Sequence, residues 1–136
     1  MLDQYGRRID YMRISVTDRC NLRCRYCMPE AVESVSHCDV LRYEEILRIC
    51  RAAIEIGITK FKITGGEPLV REECTEFIAH LKNTHGVDQV TLTTNGLLLA
   101  DKLPALAAAG IAQLHFTQHA DHRYDDEIFR IAFLGE

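Results

Sequence analysis

The apolar positions of the chain switch between two spacings, one of two residues and one of about 3.6, which are typical of a strand and of an amphipathic helix. Met12, Ile14 and Val16 alternate with Arg13 and Ser15, which predicts a first strand. The same alternation predicts three further strands, at 60–64, 89–93 and 111–117.

Helical spacing separates these strands. Helices are predicted at 43–56, at 71–83, in a short alanine-rich segment from Asp101 to Gly110, and at 125–133. Because strands and helices alternate, the sequence predicts an α/β fold, with a parallel sheet of about four βα units and its crossover helices outside.

The same spacing predicts which helix faces are buried. The inward face of the first helix is predicted to consist of Ile46, Ile49, Cys50, Ala53 and Ile54. The inward positions of the second are predicted to be Phe77, Ile78 and Leu81, with Cys74 on the same side. Cys50 and Cys74 are therefore interpreted as small apolar core residues.

Length and charge narrow the class of protein. A chain of 136 residues suits one domain, 1–136, and its net charge of -4 gives no basic field for nucleic acid or an anionic membrane. No run approaches the ~20 apolar residues of a membrane span, and the start has no signal-peptide core, so a cytoplasmic protein is expected. The sequence leaves open whether the chain forms a homo-oligomer.

Three cysteines lie close together in the loop that follows the first predicted strand. Cys20, Cys24 and Cys27 are four and then three positions apart. Clustered thiolates select zinc or an iron-sulfur cluster. Zinc would need a fourth ligand, for which His37 and Cys38 are the nearest candidates, whereas three thiolates on a four-iron cluster would leave one iron open. The spacing therefore favours a reactive iron-sulfur cluster.

Other unusual loops also follow strands. Gly65, Gly66 and Glu67 follow the second strand, and Thr94-Asn95-Gly96 follows the third. Ligand sites of parallel sheets lie beyond the carboxyl ends of the strands, so these loops are expected to converge with the cysteine loop. Three histidines, His115 near the end of the fourth predicted strand and His119 and His122 after it, are interpreted as polar loop residues rather than as metal ligands.

The spacing Cys20-xxx-Cys24-xx-Cys27, with Tyr26 before the last cysteine, resembles the signature of the radical S-adenosylmethionine (SAM) enzymes. The resemblance implies the amino-terminal part of a partial (β/α)6 TIM-like barrel. It also implies a [4Fe-4S] cluster on the three cysteines, SAM on the open iron, an electron donor, and cleavage of SAM to a 5'-deoxyadenosyl radical. Within that family, residues from about 7 to about 114, and 12–29 in particular, resemble the GTP 3',8-cyclases of molybdenum cofactor biosynthesis.

The resemblance assigns roles to single residues. SAM is expected to contact Tyr26, the loop Gly65, Gly66 and Glu67, and Thr117, which replaces a serine of the cyclases. GTP is expected to contact Arg13, Thr93 and Lys62, of which Lys62 replaces an arginine and so lacks the planar fork suited to phosphate.

The chain also departs from the cyclase pattern. The cyclases are much longer and carry a second cluster beyond the matched region, so the chain is expected to be a truncated radical SAM core with impaired cyclisation. Two alternatives stay open: a metal-binding remnant without turnover, and a radical enzyme with another substrate.

Overall fold

The structure is a computed structural model, which describes residues 2–24, 35–36 and 39–116. Its sheet has four parallel strands in the order of the sequence. They are β1 (Tyr11–Ser15), β2 (Lys60–Thr64), β3 (Gln89–Thr94) and β4 (Gln113–Phe116). Consecutive strands that are parallel and adjacent are the arrangement of a (β/α) barrel, so the predicted fold class is confirmed.

Three helices connect the strands. They are α1 (Tyr43–Glu55), α2 (Cys74–Lys82) and α3 (Leu99–Ala108). A 3-10 turn at Pro68–Val70, which the sequence did not predict, precedes α2. Since Glu73 then adopts a left-handed conformation with φ of 59°, α2 begins at Cys74 and not at residue 71. The predicted helix 125–133 lies outside the described residues.

The two faces of the sheet differ in polarity. Phe61, Ile63, Val90 and Leu92 are buried on the face that packs against the helices. The intervening residues of each strand lie on the opposite face, because side chains alternate along a strand. The register places Arg13 of β1 beside Lys62 of β2, so this second face is polar and carries positive charge.

The core is continuous between the sheet and the helices. Ile46, Cys50, Ala53, Cys74 and the three predicted inward residues of α2 are all buried within it. The core positions predicted for Cys50 and Cys74 are therefore confirmed.

The prediction for Ile49 is wrong. Ile49 is 47% exposed, at the margin of the buried stripe of α1, where it borders a cavity of about 400 Å³ between this helix and β1. Ile54, which was predicted for the same face, packs against the core.

Arg71 fixes the start of α1 against the end of β1. Its guanidinium donates hydrogen bonds to the carbonyl oxygens of Val16 and Leu41 and lies 4.0 Å from the centre of the Tyr43 ring. Tyr43 in turn stacks on Phe77 with ring centres 4.6 Å apart. The Arg71 side chain thus joins the segment before α2 to the end of β1 and to the start of α1. Within the described ranges, no helix has both the length and the apolar character needed to cross a membrane.

Candidate functional site

The loops after β1 and β2 run side by side beyond the ends of their strands. Val16 donates its N–H to the Thr64 carbonyl over 2.9 Å, and Gly66 donates to the Thr17 carbonyl over 2.7 Å. Glu67 extends the series, since its N–H donates to the Arg19 carbonyl over 2.8 Å. The strand pairing therefore continues into the cysteine loop and holds its first residues against residues 65–67, which we call the glycine loop.

Two glycines make this close approach possible. A Cβ atom at Gly65 would lie 2.6 Å from the Thr17 carbonyl oxygen, and one at Gly66 would lie closer still to the Arg19 carbonyl oxygen. Contacts so short with backbone atoms would force the loops apart. Gly65 and Gly66 thus have a packing role in the structure, and their contact with SAM stays a prediction.

Glu67 ties the glycine loop to the loop after β3. Its side chain is fully buried, and its carboxylate accepts hydrogen bonds from the Leu69 N–H at 3.1 Å, the Thr94 hydroxyl at 2.8 Å and the Asn95 N–H at 2.6 Å. A buried carboxylate is stable only when hydrogen bonds replace its lost water. These bonds place Asn95 beside the cysteine loop.

Asn95 completes the connection between the three loops. Its side-chain amide donates to Asn21 Oδ1 at 2.8 Å and to Cys20 Sγ at 3.8 Å. Cys20 Sγ also receives the backbone N–H of Leu22, at 3.4 Å. Two amide donors from different parts of the chain therefore point at the first cysteine sulfur.

Cys20 and Cys24 are both partly accessible. The third predicted ligand, Cys27, lies outside the described residues, as do Tyr26 and the zinc candidates His37 and Cys38. Within residues 2–24, 35–36 and 39–116, no three histidine, cysteine or acidic side chains group closely enough to hold a metal ion. The donors that are described suit an iron-sulfur cluster, since they combine thiols with amide N–H groups aimed at sulfur.

The predicted substrate residues lie on the polar face of the sheet. Arg13 and Lys62 are direct neighbours in register, and neither forms an ion pair with a described residue. Thr93 pairs with His115 on the same face, and its buried hydroxyl has no hydrogen-bond partner among the described residues. His115 is exposed, yet partial desolvation lowers its pKa, and the nearby positive charge of Lys62 lowers it further.

Of the remaining predicted positions, Thr117, His119 and His122 lie outside the described residues. His115 lies in β4 and not in a loop, so its interpretation as a loop residue is wrong. Among the residues that are described, sequence analysis missed the side-chain roles of Asn95 and Arg71. For Asn95 the sequence does contain a signal, because this polar residue follows a predicted strand with apolar residues at Val90 and Leu92.

Comparisons with known proteins identify relatives of the chain. The model of the Radical SAM superfamily matches residues 14–132. The GTP 3',8-cyclase of Geobacter sulfurreducens is 53% identical over 137 residues, which cover 100% of this chain and 41% of that protein. The GTP 3',8-cyclase of Peptoclostridium acidaminophilum is 49% identical over 118 residues, which cover 86% of this chain and 36% of that protein.

A solved structure supports the same fold. The crystal structure of BtrN in complex with AdoMet and 2-DOIA matches with a TM-score of 0.71 and 21% sequence identity, covering 93% of this chain and 51% of that chain. At this identity the likeness concerns the fold alone. The chain thus spans about two fifths of the length of the curated relatives that it matches.

Proposed function

Because this chain belongs to the radical SAM superfamily, we propose that it forms the cluster-binding and SAM-binding part of a GTP 3',8-cyclase in molybdenum cofactor biosynthesis. The observation that carries the proposal is the convergence of the cysteine loop, the glycine loop and the loop after β3 at one end of the parallel sheet. Sites of parallel α/β proteins form at this end. Relatives that share about half of its residues carry the name GTP 3',8-cyclase, which supports the choice of substrate.

In this proposal Cys20, Cys24 and Cys27 hold a [4Fe-4S] cluster. With SAM and an electron donor, the bound cluster supplies a 5'-deoxyadenosyl radical for cyclisation of GTP to 3',8-cyclo-7,8-dihydro-GTP. The protein's own contribution is to fix the cysteine loop. Its packing against the glycine loop and the bonds through Asn95 support that role.

SAM would lie along the glycine loop, beside Tyr26 and Thr117. The Glu67 carboxylate is occupied by three hydrogen bonds inside the protein, so the contacts of this loop with SAM would come from the backbone of Gly65, Gly66 and Glu67. The glycines leave that backbone uncovered by side chains.

GTP would lie against the polar face of the sheet. Arg13 and Lys62 place two positive charges on neighbouring strands, which suits a triphosphate. Lys62 acts there as a point charge, without the paired donors of an arginine. The Thr93 hydroxyl, buried and without a described partner, is available to a nucleotide oxygen.

Anaerobic reconstitution with iron and sulfide tests the metal part of this proposal. We expect about one [4Fe-4S] cluster per chain, since clustered thiolates suit that group. Cys24→Ala should abolish the cluster, whereas Cys74→Ala, the matched control in the core, should keep it. A chain that binds one zinc tightly and refuses iron would overturn the proposal.

A turnover assay tests the part of the proposal that concerns SAM and GTP. With a strong reductant, SAM and GTP, we expect the 136-residue chain alone to form 5'-deoxyadenosine slowly, with little cyclised nucleotide, because the chain covers only 41% of a relative named GTP 3',8-cyclase and a misplaced substrate reacts much more slowly. Chromatography measures both products. Cyclised nucleotide formed as fast as 5'-deoxyadenosine would show that the longer chain is dispensable, and absence of both would favour a metal-binding remnant.

A further inference from the structure

We propose that Asn95 is a positioning residue for the cluster, acting through its side-chain N–H on the sulfur of Cys20. The inference rests on the proposed function, because it concerns Cys20 as a cluster ligand. It assigns a role to a residue that lies 75 positions from Cys20 in the sequence.

Hydrogen bonds hold both the backbone and the side chain of Asn95 in place. Asn95 is only 4% exposed, and its backbone N–H is held by the buried Glu67 carboxylate at 2.6 Å. Its side-chain oxygen accepts the Leu97 N–H at 3.1 Å, which turns the amide nitrogen towards Cys20 and Asn21. Backbone and side chain are thus both fixed before any metal binds.

The chemistry of a cluster ligand gives this amide its function. A thiolate bound to iron carries negative charge, and an N–H group directed at it stabilises that charge. Reduction adds one more electron to the cluster, so the same N–H favours the reduced form and raises the reduction potential. Residues that orient metal ligands in this way typically change metal affinity or activity by about 10-fold to 100-fold when they are replaced.

Asn95 also shapes its own loop, and a test must separate that role from the one proposed. Asn95→Ser removes the amide that reaches Cys20, yet its hydroxyl can still accept the Leu97 N–H, as serine does in such turns. Asn95→Ala removes both bonds. Thr94→Val serves as the control, because it loosens the same loop by breaking the bond to Glu67 and keeps the Asn95 amide.

The midpoint potential of the reconstituted cluster, followed by electron paramagnetic resonance during a redox titration, is the deciding measurement. We expect Asn95→Ser and Asn95→Ala to lower the reduced-to-oxidised ratio at a fixed potential about tenfold, equivalent to about 59 mV for one electron. Thr94→Val should keep the wild-type potential. Release of iron to a chelator should be about tenfold faster in both Asn95 variants.

The outcomes are distinguishable from those of the proposed function. If the wild-type chain takes up no cluster, the proposed function fails, and this inference fails with it. If the cluster forms and Asn95→Ser keeps the wild-type potential, the inference alone is wrong. A potential lowered equally by Thr94→Val would also overturn it, since loosening of the loop would then be sufficient.

Discussion

The Glu67 carboxylate joins the glycine loop to the loop after β3 by hydrogen bonds to Thr94 and Asn95. We expect Glu67→Gln to lower the free energy of unfolding by about 1.5–3 kcal/mol, because a buried charge-assisted acceptor is lost and an amide N–H then faces other donors. Denaturation in urea measures the change. Glu72→Gln, at an exposed position of the same segment, should have little effect. Equal stability of the two variants would contradict a tying role for Glu67.

The buried thiols should be chemically inert. Cys50 and Cys74 are 0% and 3% exposed, and burial raises the pKa of each to about 11. At pH 8 we expect iodoacetamide to modify Cys20 in the iron-free chain and to leave Cys50 and Cys74 intact, because the thiolate is the reactive form. Mass spectrometry of the peptides identifies the modified residues. In urea all of them should react, and rapid labelling of Cys74 in the folded chain would argue against its place in the core.

The same thiols predict a loss of stability in alkaline solution. Their ordinary pKa is 9.0, so between pH 9 and about 11 the unfolded chain releases protons that the folded chain retains. Rising pH favours the state that binds fewer protons, which here is the unfolded state. The free energy of unfolding should therefore fall between pH 9 and about 11. Urea denaturation at pH 8 and pH 10 measures the fall. Cys50→Ala should reduce the pH dependence, whatever its effect at pH 8.

The pairing of the cysteine loop with the glycine loop depends on the absence of a side chain. We expect Gly66→Ala to destabilise the chain by about 1–3 kcal/mol and to impair cluster uptake, because its Cβ would meet the backbone of Arg19. Thermal unfolding and iron content are the measurements. Gly6→Ala is a control, since its Cβ would meet nothing within 4 Å, although its φ of +75° adds some strain. Normal cluster uptake by Gly66→Ala would contradict the packing role.

The elements could be predicted where the local pattern alone decides them. β2 forms at the predicted residues because alternating Lys60, Lys62 and Thr64 leave Phe61 and Ile63 to the core. The start of α2 was placed too early, because a proline turn and the left-handed Glu73 intervene, and hydrophobic spacing reports neither. Ile49 shows the same limit, since spacing gives the direction of a helix face but not its width.

The candidate site could be predicted only in part. The cysteines and glycines stand in short motifs, which a sequence displays directly. Glu67 bonds Thr94 and Asn95 across 27 and 28 positions, and Arg71 reaches Val16 across 55, so these contacts exist only once the sheet has formed. Spacing along the chain carries no information about them.

The sheet as a whole has two edges, and β4 pairs only with β3 in the part of the chain that the structure describes. Unpaired strand edges promote association. We expect the isolated 136-residue chain to associate with increasing concentration, as measured by sedimentation velocity. Gln113→Lys, which adds a charge to β4 at an exposed position, should weaken the association. A chain that stays monomeric at all concentrations would contradict this expectation.

The sequential order of the strands has a consequence for synthesis on the ribosome. Cys20 precedes Asn95 by 75 residues, and at about 5–20 residues per second roughly 4–15 s pass between their appearances. Asn95 is absent throughout that interval, and Glu67 is absent during its first part. The thiols of the cysteine loop are then open to oxidation or to a stray metal ion. Thiol labelling of nascent chains stalled before and after residue 95 would measure this exposure. Cys20 remains open to labelling in the folded iron-free chain, but its labelling should become slower once Asn95 has left the exit tunnel, because the Asn95 amide then donates to the Cys20 sulfur.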